Sequence, residues 1–589
     1  MLFKRFCQKV MHNSTEPPGM RDFACNAMIL VVLGYVLVYV LPLGLRPMTI
    51  PDESRYGEIP REMIQSGNWS VPHLVDLRYF EKPPMGYWLN AISISVFGEN
   101  IFAVRLPGAL ATGLSAWFIW LLLVRAGYGQ RIALVAAVIT LSFVEVLVVG
   151  TLSVLDNPFT LFLSGGMVLF YLAAMAADAS RQQRRYLIAS GVMFGLSFLS
   201  KGFLAFVLPG LVILPYCLLQ KRYMLIWRCW WIALFAILTV LPWAIIIHLR
   251  EPDYWHYFIF EEHIRRFLAK DAQHVSPFYY YLMLLPVAAF PWLSFVPAAI
   301  AGVRLDKRHS DVFRYLLLWF GMPFLFFSIS KGKLPTYILP CLIPAGALIA
   351  IGLMEYLSAG RRRLLLLGVV LNAALLLIGL AALLYQQFHG DGTPFYQPDE
   401  TRKLIGIIVG LSLTGLLTLA AFFFKRTYKT IAAIAASVGI IFVILNSDLP
   451  DSVLAGKSPV ALYEHVAPKL KPDTIIVSDA NVVRAVAWSL KRTDIYLLHK
   501  GELGYGLSYP EHKQRYIGIG GLKKLLDQLH AGELQQDIAV FCEEPCQPEL
   551  TALLGHRADQ FSNEEFSVWI TPCTNLGKVN VRNKEAGHQ

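Results

Sequence analysis

The chain has 589 residues, of which 56% are hydrophobic and 16% charged, with a mean hydropathy of +0.50 and a net charge of +11. Soluble chains average about 45–50% apolar and about 25% charged residues, so this composition argues against a soluble multidomain enzyme. The basic excess sits in short segments between apolar runs, which is the topology signature of a membrane protein rather than a nucleic-acid surface.

A spanning helix takes about 20 apolar residues. In chain order, apolar runs occur at 27–45, 106–124, 132–150, 158–177, 187–199, 203–219, 229–247, 278–300, 315–329, 336–357, 364–385, 404–424 and 431–445. The fifth and ninth must borrow flanking residues. The first is span-length and ends in Arg46-Pro47, so it reads as a span rather than a cleavable signal. One alternating set of connections carries 22 basic residues in seven short segments, from Lys4, Arg5, Lys9 and Arg21 to Lys425, Arg426 and Lys429. This alternation predicts thirteen spans, a cytoplasmic N-terminus and a C-terminal domain on the opposite side.

The other connections include two long polar loops, 45–105 and 249–277, which cannot lie exposed in hydrocarbon. Within the first, the spacing of Ile59, Met63 and Ile64 and the run 85–97 predict amphipathic helices along the interface. Beyond residue 446 the apolar runs shorten. Strands are expected at 474–478, 495–498, 516–519, 538–542 and 566–570, with helices at 482–490 and 521–529, which makes 447–589 a small soluble α/β domain. It carries Cys542, Cys546 and Cys573, and a Cys542/Cys546 disulfide and free thiols are equally compatible with that spacing.

Four groups of residues have the chemistry of a site. Asp52, Glu53 and Arg55 follow the first span and can supply a base, a metal ligand or a stabiliser of positive charge; acids in the first turn of a helix are the plainer reading. Glu81 and Lys82, stiffened by Pro83 and Pro84, can hold a cation and a phosphate, or form a surface ion pair. Short outer connections hold Asp156, Lys201, Lys331 and Lys333; lysines there break the basic-inside trend and fit an anion, although snorkelling is the ordinary account. Last, Glu261-Glu262-His263 precedes Arg265 and Arg266; His263 can ligate a divalent ion with an acid from another loop, or be polar surface. Glu145, deep in the third span, is costly unless it faces the bundle interior, and the sequence assigns it no role.

The strings Pro51-Asp52-Glu53-Ser54-Arg55-Tyr56-Gly57-Glu58, Phe80-Glu81-Lys82-Pro83-Pro84-Met85, Leu155-Asp156-Asn157-Pro158, Leu199-Ser200-Lys201-Gly202 and Lys333-Leu334-Pro335-Thr336-Tyr337, in this order, resemble the GT-C glycosyltransferases that use polyprenyl-phosphate sugars. Within that superfamily they are most similar to the bacterial enzymes that place aminoarabinose on lipid A. The resemblance implies an α-helical polytopic GT-C bundle of about 13 helices over 1–446, with a C-terminal periplasmic α/β domain over 447–589. It also implies transfer of 4-amino-4-deoxy-L-arabinose from undecaprenyl phosphate to lipid A phosphates at the periplasmic face of the inner membrane, the modification behind polymyxin resistance.

Carried over residue by residue, the resemblance makes Asp52, Asp156 and Glu53 the acidic catalytic set. It puts Lys82, Arg266, Arg55, Tyr79 and Tyr337 on the carrier phosphate, and Lys201, Lys331 and Lys333 on the acceptor phosphate. Glu81 and His263 would hold a divalent ion such as zinc, no nucleotide cofactor is expected, and the chain is expected to act as a monomer in the bilayer. A single displacement would invert the anomeric carbon. A protein O-mannosyltransferase-like enzyme would share the first-loop acids but needs a true base for its hydroxyl acceptor. A lipid transporter would place its functional charges near mid-membrane rather than at outer span ends.

Overall fold

The structure, a computed structural model, describes residues 18–265, 275–304, 311–390, 392, 394–424, 426–544, 548–555, 558–563 and 565–573. These form two compact units. One combines the residues up to Arg46 with Phe80–Pro450, and the other combines Pro47–Tyr79 with the residues from Asp451 onward.

In the first unit, nine of the described helical segments are long and apolar enough to cross a membrane, and eleven with two bent pairs counted. The two remaining apolar runs lie in Arg181–Lys201 and Leu204–Leu219, so each of the thirteen runs falls on a helical segment. Leu234, Ile237, Leu238, Leu241, Ile245 and Leu249 are exposed on the helix Trp230–Arg250, an apolar face of the kind lipid covers. Helices also meet through small residues: a Cβ on Gly302 would lie 1.8 Å from the Gly352 carbonyl oxygen, so Val296–Val303 and Leu339–Ser358 touch backbone to backbone. Arg105, 1% exposed, donates to the carbonyls of Leu43 (2.8 Å) and Arg46 (2.9 Å) and satisfies the C-terminal end of the first span.

The bent pairs are Gly129–Leu141 with Val144–Gly150, at 67°, and Tyr280–Ala288 with Trp292–Val303, at 93°. Their breaks are joined. The Val144 N–H donates to the Phe290 carbonyl (3.1 Å), and the Trp292 indole N–H to the Ser142 hydroxyl (2.9 Å). Broken backbone is tolerated at membrane depth only where protein satisfies its polar groups in this way.

The second unit holds a two-residue antiparallel pair, β1 (His73–Leu74) with β2 (Leu77–Arg78), and a five-stranded sheet. The sheet contains β3 (Ile475–Ser478), β4 (Ile495–Leu497), β5 (Ile538–Glu543), β6 (Asp559–Ser562) and β7 (Phe566–Thr571) in the order β4-β3-β5-β7-β6. β3 runs parallel to β4 and β5, whereas β7 is antiparallel to β5 and β6. Leu522, Leu526 and Leu529 line one face of Gly518–His530 and join Val477, Val540 and Trp569 in the core. The strand expected at 516–519 is not formed: Tyr516 makes one isolated bridge to Leu497, and the chain turns at Gly518 (φ +60°) into the helix. β6 is a polar edge strand whose sequence lacks the apolar alternation that marks the others. Cys542 is disulfide-bonded and Cys573 free, while Cys546 lies outside the described residues.

The helix Asp52–Ser66 does not lie with one face open, as its periodicity suggested; Glu53 through Met63 are all buried. It packs on Val483–Leu490, where a Cβ on Gly57 would lie 3.2 Å from the Trp488 ring, so glycine permits the close approach. Met85–Phe97 in the membrane unit is apolar on both faces rather than amphipathic, with Ile92, Val96 and Phe97 exposed and Tyr87, Ala91 and Ile94 buried.

Candidate active site

Candidate residues occur in both units. In the soluble unit, the first-turn acids of Asp52–Ser66 complement the helix dipole, but the two differ. Glu53 is 2% exposed and turns back, its Oε2 accepting from the Thr49 N–H (3.0 Å) and hydroxyl (2.9 Å). Asp52 keeps 49% of its side chain exposed and pairs with Arg55 at 3.4 Å. Arg55 in turn reaches Glu502 at 2.7 Å and lies 5.7 Å from the centre of the Tyr79 ring. The Tyr79 hydroxyl donates to the same Glu502 Oε2 (3.4 Å), and Arg484 approaches it at 3.4 Å. A chain of alternating charge therefore runs Asp52, Arg55, Glu502, Arg484. Burial, and then the nearby Arg55 guanidinium, lower the pKa of Arg484.

One turn further along the helix, Arg61 forks onto Glu58 at 2.8 and 2.5 Å with both side chains fully buried. Glu62 accepts the N–H groups of Val75 (2.6 Å) and Asp76 (2.8 Å). These two residues form the turn between β1 and β2 with φ of 57° and 59°, a left-handed conformation that β-branched valine resists. Burial first, and the Glu58 carboxylate second, hold the Glu62 carboxyl well above the usual carboxylate range.

In the membrane unit, Lys82 is paired with the Glu262 carboxylate and donates to the Glu81 carbonyl (3.1 Å). Phe80 beside it packs edge-on against Tyr254, ring centres 5.1 Å apart. Asp156 opens the helix Asp156–Met175 and binds Lys201, the last residue of Arg181–Lys201, at 2.5 Å. The Lys201 ammonium also lies 4.6 Å from the centre of the Tyr337 ring. The structure thus joins three sequence candidates from three separate strings. Lys331 is exposed. Lys333 is 4% exposed and donates to the carbonyls of Ser276 (2.9 Å) and Ser330; burial lowers its ammonium pKa. It fastens the two loops that also pair as Val275 and Gly332.

The His263 side chain and Arg266 lie outside the described residues. Among the described residues no group of three His, Cys, Asp or Glu is arranged to hold a metal ion. Glu502 and Arg484 were not among the candidates, and Glu262 was named only as part of the string before His263. The first two sit in a domain without a recognisable motif, hundreds of residues from Arg55, and only folding brings them together.

Residues 24–258 match the family model described as dolichyl-phosphate-mannose-protein mannosyltransferase, and residues 454–579 that of the arabinosyl transferase ArnT C-terminal domain. An undecaprenyl phosphate-alpha-4-amino-4-deoxy-L-arabinose arabinosyl transferase of Aeromonas hydrophila is 39% identical over 501 residues, covering 84% of this chain and 90% of the relative. One of the same name from Pseudomonas savastanoi is 40% identical over 496 residues, covering 84% and 91%. Among solved structures, ArnT from Cupriavidus metallidurans bound to undecaprenyl phosphate superposes with a TM-score of 0.78 at 21% identity, over 93% of this chain and 98% of that one, so the two share the GT-C fold. With about two-fifths of its residues shared along nine-tenths of such relatives, this multi-pass membrane chain belongs to the undecaprenyl phosphate-aminoarabinose arabinosyl transferase family of glycosyltransferases.

Proposed function

We propose that this protein transfers 4-amino-4-deoxy-L-arabinose from undecaprenyl phosphate to a phosphate of lipid A, at the periplasmic face of the bacterial inner membrane, and so supports resistance to polymyxin. The observation that carries the reading is the 39% identity across 90% of the Aeromonas relative, whose name specifies that donor. In the reaction the bond between the anomeric carbon and the carrier phosphate breaks, its electron pair leaving with undecaprenyl phosphate. An oxygen of the acceptor phosphate forms the new bond, with inversion.

The residues suit this chemistry. Negative charge grows on the departing phosphate, so the cations assigned to it, Lys82, Arg55 and Arg266, with the hydroxyls of Tyr79 and Tyr337, would lower the barrier where charge develops. A phosphate monoester has a second pKa of about 6 and is mostly ionised at neutral pH; the acceptor therefore needs cations, for which Lys201, Lys331 and Lys333 are the candidates, more than a base. Asp52 serves as electrostatic partner of the oxocarbenium-like centre. Glu81 and His263 are the pair assigned to a divalent ion such as zinc, which elemental analysis of the purified protein before and after chelation tests; no step above depends on it.

Mass spectrometry of lipid A from cells with and without the protein tests the function: the aminoarabinose mass increment should appear only with it. The match of residues 24–258 to the mannosyltransferase model favours one other reading, a hydroxyl acceptor. A dephosphorylated lipid A that remained a good acceptor would support that reading and end the first.

A further inference from the structure

Arg484 stands second in the helix Val483–Leu490, which follows β3, and Glu502 lies in the turn Gly501–Leu503 that follows β4. β3 and β4 run parallel, so both residues leave the carboxyl edge of the sheet, where open α/β sheets hold their ligands. At that edge Glu502 meets Arg55 of the helix Asp52–Ser66.

The Arg484 side chain is 4% exposed, and its Nη2 lies 3.4 Å from the Glu502 carboxylate. Nη2 also donates to the Ala480 carbonyl (3.3 Å), while Nε and Nη1 have no hydrogen-bond partner among the described residues. Burying a guanidinium is costly unless its donors are used, so this arginine is poorly placed to add stability. Glu502 also receives Arg55 at 2.7 Å and the Tyr79 hydroxyl at 3.4 Å, and Arg55 holds Asp52 only at 3.4 Å. Side-chain exposure is 49% at Asp52 and 33% at Glu502, against 8% at Arg55. Two buried guanidinium groups therefore stand behind two carboxylates that remain open.

We propose that Arg484 is a positioning residue for transfer: by holding Glu502 it sets how Arg55 is shared between Glu502 and Asp52, and so makes the C-terminal domain part of the catalytic apparatus. Removing Arg484 lowers the local charge by one, and Arg55 must then offset more of the charge of both carboxylates. Less of its positive charge is left for the negative charge growing on the leaving phosphate, a loss felt more in the transition state than in the bound donor. This role rests on the reading that Arg55 attends the carrier phosphate.

The test uses the purified full chain in lipid nanodiscs, with undecaprenyl phosphate aminoarabinose as donor and lipid A as acceptor. Arg484→Met should lower kcat by about 10-fold, the lower end for loss of a charge-assisted hydrogen bond, with a smaller rise in KM for the donor. Its melting temperature should stay in place or rise, and Arg484→Lys, which keeps the charge, should recover part of kcat. Arg484→Met combined with Glu502→Gln should be no worse than the poorer single variant, because Arg484 acts through Glu502. An Arg484→Met that fails to fold or melts lower, an Arg484→Lys no better than Arg484→Met, or losses that add in the double variant would overturn the proposal in favour of a structural role. Carbodiimide modification mapped by peptide mass spectrometry needs no turnover: Glu502 should label faster in Arg484→Met than in the wild type, and an unchanged rate overturns the proposal as well. A wild type that transfers no aminoarabinose refutes the proposed function instead, and the Glu502 labelling rates then judge the positioning contact by themselves.

Discussion

Asp52 can be changed with little structural cost. Half of its side chain is exposed, and its 3.4 Å contact with Arg55 is of the kind that contributes less than about 1 kcal/mol. Asp52→Asn should abolish transfer while the thermal transition of the protein stays in place; near-normal turnover would return the residue to a capping role. The lysines make a sharper test, because donor and acceptor phosphates assign them differently. Losing a charge-assisted hydrogen bond costs roughly 1.5–3 kcal/mol, about 10- to 150-fold. Lys82→Ala should raise KM for the aminoarabinose donor by that factor, and Lys201→Ala should chiefly raise it for lipid A. Equal effects on both substrates would sink the two-phosphate map. Lys333 is a poorer probe, because its ammonium is buried against two carbonyls and its loss also loosens a loop.

At the scale of elements, the helix Asp52–Ser66 is held by buried charges as well as by its apolar stripe of Tyr56, Ile59 and Met63. Arg61 and Glu58 are fully buried. Removing one partner leaves the other charge uncompensated, so Arg61→Ala should destabilise the soluble unit by about 3–5 kcal/mol, whereas Glu58→Gln with Arg61→Met should recover much of the loss; thermal unfolding followed by circular dichroism reads both. The turn between β1 and β2 is a second case. Val75-Asp76 is a poor choice for two successive left-handed residues, and the Glu62 carboxyl oxygens hold both N–H groups. Glu62→Ala should therefore lower the melting temperature, and Val75→Asn with Asp76→Gly should offset it, since asparagine and glycine adopt that turn readily. No offset would mean that the turn is held by something other than Glu62.

For the whole molecule, the alternation of basic segments predicts a cytoplasmic N-terminus and a periplasmic domain after Asn446. Reporter fusions at that point that are active only in the cytoplasm would refute it. The partition of the chain makes a further prediction. Because Trp488 packs on Gly57 and the Ile50 N–H donates to the Lys457 carbonyl (3.0 Å), residues 451–589 expressed alone expose a buried face and should aggregate. Joining residues 47–79 to them should restore a soluble product with a cooperative transition.

The sequence by itself determined the multi-pass character, the thirteen apolar runs, the α/β nature of the C-terminal domain and the strings around Asp52, Lys82, Asp156, Lys201 and Tyr337. These are local properties: span length, charge alternation and the two-residue period of strands are written in contiguous residues. Tertiary structure alone decided that 47–79 folds with the distant C-terminal segment, that Glu502 and Arg484 complete the charge chain from Asp52, that Glu262 pairs with Lys82, and that Asp156, Lys201 and Tyr337 meet. It also decided that the helix starting at Asp52 is buried from Glu53 through Met63, polar face included. An amphipathic period shows which face of a helix prefers burial, but not whether ion pairs such as Glu58 with Arg61 let the polar face be buried as well. Contacts between residues hundreds of positions apart leave no mark in a single sequence, because neither partner's local pattern depends on the other.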